Sequence, residues 1–131
     1  LFDNPGTLAF FDPKQSILFS SDCFGAPFAS AEDALVEDVS SIAEDELTRA
    51  QVLWGNVDSP WTHEIDQGKL ADNLARFVHQ SPTTVLSAHL PPIHRNLNRH
   101  LDALATLPRS APFAAPDQAA LEAFMAESMR P

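Results

Sequence analysis

Asp22 stands at the end of the apolar run Ile17-Leu18-Phe19, after Ser20 and Ser21 and before the turn Cys23-Phe24-Gly25-Ala26. Strand packing would hold a carboxylate in that place still, and a fixed carboxylate is a good ligand for a hard metal ion. His89 repeats the arrangement. It follows the short run Thr83-Thr84-Val85-Leu86-Ser87 and lies in a turn stiffened by Pro91 and Pro92. Small residues precede both side chains, so the two strand ends can approach one site without crowding. Aspartate with histidine is the ligand chemistry of borderline divalent metals. Two such residues do not make a tight site, which takes three or more protein ligands.

The elements that must position these residues can be read from turns and periodicity. Asn4-Pro5-Gly6-Thr7 and Asp12-Pro13-Lys14-Gln15-Ser16 are turns, and they bracket strands at 7–11 and 17–20. The hairpin so formed delivers Asp22. Ser30-Ala31-Glu32-Asp33 has the composition of a helix start. The acidic stretch from Glu37 to Glu46 reads as a solvated helix face and linker. A helix is expected from Glu44 to Trp54, ending near Gly55, and a longer one over 64–79 with Ile65, Leu70, Leu74, Phe77 and Val78 as its apolar stripe. A buried strand follows at 83–87. Leu97, Leu101 and Leu104 mark a helix over 94–107, and Asp117 caps a last helix that reaches about Met129. The order β-β-α-α-β-α-α defines an α/β or α+β domain with a hydrophobic sheet covered by helices.

Composition narrows the function. The 131 residues fit one domain or part of one, and 44% hydrophobic residues suffice for a core. A formal net charge of −10 with only 8 basic residues, scattered along the chain, argues against a nucleic-acid surface. No apolar run approaches the roughly 18 residues of a transmembrane helix. One cysteine, Cys23, permits no internal disulfide and suits a reducing compartment, so a cytoplasmic location is expected. The chain begins with Leu1 rather than Met, and either loss of the true start or a fragment is expected.

With these residues in place, the chain resembles the metallo-β-lactamase superfamily, most of all its oxygen-binding, di-iron branch found in flavodiiron proteins. Pro5-Gly6-Thr7, Phe11-Asp12 and Leu18-Phe19-Ser20-Ser21-Asp22-Cys23-Phe24-Gly25 match that branch's strand-turn-strand segment. Ser87-Ala88-His89-Leu90-Pro91 matches the turn that carries its last metal-binding histidine. The resemblance covers roughly residues 1–100. It implies that Asp22 bridges two metals, that His89 binds the second, and that Asp3 stands where the family has a histidine ligand. His94 and Ser87 are candidates for supporting the ligands from behind. The family's His-x-His/Glu-x-Asp-His motif is absent, since His63, His79, His89, His94 and His100 do not form it. It would lie N-terminal to Leu1.

The implied fold is half of a metallo-β-lactamase-type αββα sandwich, with a mixed β-sheet covered by helices. Residues 1–131 are then the C-terminal portion of one such domain. They divide into a metal-site hairpin at 1–29, helices and the His-bearing strand end at 30–107, and a C-terminal helix at 108–131. The resemblance implies two divalent metals (Fe, Zn or Mn) in the full-length protein, reduced by a separate flavin partner in the redox version. It implies a small-molecule substrate. Its partner is the N-terminal half of the domain or a second copy in a homodimer, with no nucleic acid and no membrane. Phe10, Phe11, Ile17, Leu18, Phe19, Val85 and Leu86 would form the apolar sheet surface that one half leaves open.

Plainer uses exist for the same residues. Asp22 can cap a loop, Asp3 can serve a turn, and His89 can be a hydrogen-bonded core histidine. His63, His79, His94 and His100 are expected at the surface, and Cys23 as a buried, inert thiol. Trp54 and Trp61 flank a loop that they would anchor, and two indoles can also wall a pocket. Two functions follow. One is a metalloenzyme, either a flavodiiron-like oxidoreductase or a hydrolase. The other is a non-catalytic sensor or interaction domain with a degraded metal site.

Overall fold

The computed structural model describes residues 7–129. Asp3 and the turn at 4–6 lie outside the described residues. Among the described residues the sheet has four strands in the order β1-β2-β3-β4: Phe10–Asp12, Ile17–Ser21, Thr84–Ser87 and Leu90–Ile93. β1 and β2 form an antiparallel hairpin, as do β3 and β4, while β2 and β3 run parallel. A parallel pair needs a crossover. Here it carries α1 (Glu44–Asp58) and α2 (Gln67–Gln80); α3 (Leu97–Thr106) and α4 (Gln118–Ser128) follow the sheet. The expected mixed sheet and its helices are both present.

Alternation along the strands divides the sheet into two faces. Leu18, Val85 and Ile93 point inward and join Leu47, Leu70, Leu74, Leu101 and Leu104 in one core cluster. The opposite row contains Phe10 and Phe19, with Leu86 next in register. Phe10 and Phe19 stack with centroids 4.5 Å apart, and Phe10 stays exposed. Of the seven apolar residues expected on an open face, Leu18 and Val85 are buried among the helices and Phe11 packs against the core. The period of two assigns them to the covered side.

Four expectations need correction. Residues 90–93 form a strand, and the helix expected from 94 starts only at Leu97. Prolines are tolerated here because β4 is an edge strand, where a missing N–H costs no ladder bond. Ser30 does start a turn, its hydroxyl accepting from the Asp33 amide, but only one 3₁₀ turn follows, at Asp33–Leu35. In the acidic stretch, Asp38 caps a second 3₁₀ turn and Val39 and Ile42 are buried, while Glu44, Asp45 and Glu46 fill the first turn of α1. Finally, α1 passes through Gly55 and ends at Asp58. A Cβ at Gly55 would come within 2.6 Å of Leu107, so this glycine makes room for packing and is no helix stop.

Candidate functional site

Because β2 and β3 are parallel neighbours, their carboxyl ends emerge on the same edge of the sheet, where open α/β sheets place their ligands. Ser21 pairs with Ser87 at that edge. The loops beyond are tied to each other by main-chain bonds. The Ala88 N–H donates to the Ser21 carbonyl at 2.7 Å, and the Ala26 N–H donates to the His89 carbonyl at 3.1 Å. Ser87 adds a side-chain link. Its hydroxyl donates to the Ser21 carbonyl at 3.1 Å and accepts the His89 N–H at 3.3 Å.

The turn after β2 is wound tightly. Ser21 and Phe24 both adopt left-handed conformations, with φ of 54° and 70°. Such conformations are uncommon without glycine and persist where the surroundings over-determine them. Phe24 is fully buried, and the Ser20 hydroxyl donates to the Cys23 carbonyl from a fully buried position. Cys23 is buried, as expected. The outcome is a rigid mount for Asp22.

On this mount Asp22 Oδ1 lies 3.2 Å from His89 Nε2. The Asp22 side chain is 23% exposed and that of His89 46%, so the pair faces solvent and is open to a ligand. Beside it lies an open groove of about 300 Å³, lined by Phe28, Ala34, Trp54, His89, Leu90 and Pro91 among others.

Trp54 and Gln51 of α1 complete the site. The Trp54 indole N–H donates to the Asp22 carbonyl at 3.0 Å, and its ring lies 4.6 Å from the His89 ring at a tilt of 37°. Gln51 donates through Nε2 to the Phe24 carbonyl at 3.0 Å. That bond turns its Oε1 toward His100 Nδ1, also at 3.0 Å, so the imidazole must donate there. Sequence reading left Gln51 out and gave Trp54 a loop-anchoring role, with a pocket wall as the other use; Trp54 does line the groove. Both lie on the helical stripe that Leu47 begins, at i+4 and i+7, which was the available signal.

The other histidines divide clearly. His94 does not join the pair. It sits at the far end of β4, where Nδ1 bonds Thr84 Oγ1 at 3.1 Å and its amide donates to Asp38 Oδ2 at 3.0 Å. A strand at about 3.3 Å per residue separates it from His89. Burial works to raise the Asp38 carboxyl, but hydrogen bonds from Ser40 and His94 and the His94 charge outweigh it and hold the group below the usual carboxylate range. His79 is exposed, and half-buried His63 bonds Asn56 Oδ1 at 2.6 Å. His100, expected at the surface, is 1% exposed. Burial, with the Arg99 charge, lowers its pKa to about 4 against a weak opposing pull from Asp38.

Whether these groups fit a metal is a question of kind and number. Two neighbouring ligands, each about 2.0–2.2 Å from one ion, stand roughly 3 Å apart. The Asp22–His89 separation matches that, and so does an ordinary hydrogen bond. Among the described residues no group of three or more His, Cys, Asp or Glu could hold a metal ion. The pair therefore fits one edge of a metal centre, not a whole one.

No family model matches the chain, and no curated protein sequence matches it. A solved structure does match: rubredoxin oxygen:oxidoreductase from the anaerobe Desulfovibrio gigas, with a TM-score of 0.56 at 16% sequence identity. The match covers 80% of this chain and 24% of that one, so the chain spans about a quarter of its relative's length. At this identity the likeness shows the fold. It is an α+β fold consistent with half of a metallo-β-lactamase-type domain. Among the described residues no helix is long and apolar enough to cross a membrane.

Proposed function

We propose that this chain supplies one edge of a dinuclear metal centre in a metallo-β-lactamase-fold oxidoreductase of the flavodiiron type. Asp22 bridges the two metals, His89 binds the second, and Asp3 assists. One observation carries the reading: two side chains from separate parallel strands, mounted on cross-tied turns, bring a carboxylate oxygen and an imidazole nitrogen within 3.2 Å at an accessible sheet edge. The remaining ligands come from outside the described residues. Similarity to an oxygen oxidoreductase supports redox chemistry over the hydrolytic kind.

Bound there, two irons would supply reduction of a small molecule such as dioxygen or nitric oxide, with electrons from a separate flavin partner, whereas two zincs would supply water activation for hydrolysis. The chain's own residues bind and orient. Asp22 and His89 present their donor atoms, Ser87 joins the two turns, and the groove beside His89 gives a small substrate access. The rest of such a domain, or a second copy, covers the Phe10–Phe19 face.

A second reading is a non-catalytic sensor or interaction domain. It is favoured by the same contact, because Asp22 and His89 satisfy one another as a hydrogen-bonded clamp without a metal. Metal analysis of the natural protein separates the readings. Two irons with a visible absorption band support the oxidoreductase, two zincs a hydrolase, and no metal the sensor.

A further inference from the structure

Trp54 touches both members of the pair through different parts of one ring. The N–H holds the Asp22 carbonyl, which also accepts the Gly25 N–H at 3.1 Å. The indole ring lies beside the His89 imidazole, tilted by 37° with centroids 4.6 Å apart. The indole also packs closely on Gly25, where an added Cβ would fall 2.5 Å from Nε1, 2.6 Å from Cε2 and 2.9 Å from Cδ1. The His89 ring is nearly half exposed, and its contacts with Asp22 and Trp54 restrict its rotation. Hydrogen-bonding groups that orient metal ligands from outside the ligand set commonly change metal affinity by about 10- to 100-fold when removed.

We propose that Trp54 is the positioning residue of the Asp22–His89 pair, fixing the main chain behind the carboxylate and the plane of the imidazole together. The geometric part stands on the structure alone; only the effect on metal binding rests on the proposed function. The test uses the full-length natural protein with Trp54→Phe, which keeps a ring but no donor, and Trp54→Leu, which keeps neither. Proton NMR without metal reads the ring-current displacement of the His89 ring protons. Zn(II) competition against a chromophoric chelator reads affinity, and thermal melting reads stability.

Trp54→Phe should retain part of the displacement and bind Zn(II) within about threefold of the unchanged chain. Trp54→Leu should lose the displacement, show an averaged His89 ring, and weaken Zn(II) about tenfold. A merely structural role would lower both melting temperatures while His89 signals of the folded chains matched the ring-current change alone, with no averaging and no change in Zn(II) affinity. That result would overturn the proposal. If the unchanged full-length natural protein binds no Zn(II), the metal reading fails and the averaging of the His89 ring alone decides the role of Trp54. Should Trp54→Leu not fold, Trp54→Met, an unbranched side chain with neither ring nor donor, takes its place with the same expected outcomes.

Discussion

Asp22 Oδ1 and His89 Nε2 meet at 3.2 Å although both long helices of the crossover separate them in sequence. The meeting follows from topology. Each side chain lies in the turn at the carboxyl end of its strand, and the strands are parallel neighbours whose turns exchange main-chain hydrogen bonds.

Gly25→Ala should destabilise the chain by about 1–3 kcal/mol, the usual cost of forcing extra volume into a packed site. The new methyl group would meet three indole atoms closer than 3.0 Å, and a ring wedged against His89 cannot yield as a flexible chain end would. Chemical denaturation checks the magnitude. Unchanged stability would mean that the indole has room to move.

His100 makes stability depend on pH. Its pKa is about 4 in the folded chain against the ordinary histidine value of 6.5, so between these values the unfolded chain binds more protons and stability rises with pH. The contribution is complete above about pH 6.5, and is lost as pH falls toward 4. Its full size is on the order of 3 kcal/mol. Denaturation midpoints measured across that window should fall on acidification, and the dependence should flatten in His100→Gln.

Much of this was legible in the chain itself. Period-two and helical spacing located three strands and four helices, and the strand-end positions of Asp22 and His89 were visible without a structure. Other features were hidden for physical reasons. Pro91 and Pro92 read as a loop, because the tolerance of an edge strand for proline depends on strand order. Gly55 read as a helix stop, because only Leu107, distant in sequence, shows what the missing side chain makes room for. His100 shares the stripe of Leu97, Leu101 and Leu104, and its polarity masked a core position that Gln51 satisfies. His94 is close to His89 in sequence but lies at the other end of the strand.

The open sheet face should drive association. Phe10 and Phe19 stack there with Phe10 exposed, and each large apolar side chain left in water forgoes roughly 1.5–3 kcal/mol of burial. Light scattering of the isolated chain should report a dimer, or a complex with a co-purifying fragment, and Phe10→Asp should weaken it. A stable monomer at micromolar concentration would count against this.

Chain 1–131 alone should bind Fe(II) or Zn(II) weakly, because the described residues offer a pair of donors and not a group of three. Equilibrium dialysis measures this directly. Two well-occupied metals held by a single copy would show that the ligand set is larger than the pair and its neighbours.

The most direct test of the central claim is the metal content and activity of the natural protein with and without Asp22→Ala. The unchanged protein should carry two metals per chain, and the variant should lose metal and activity together. A variant that keeps both would leave Asp22 a structural cap and contradict the account.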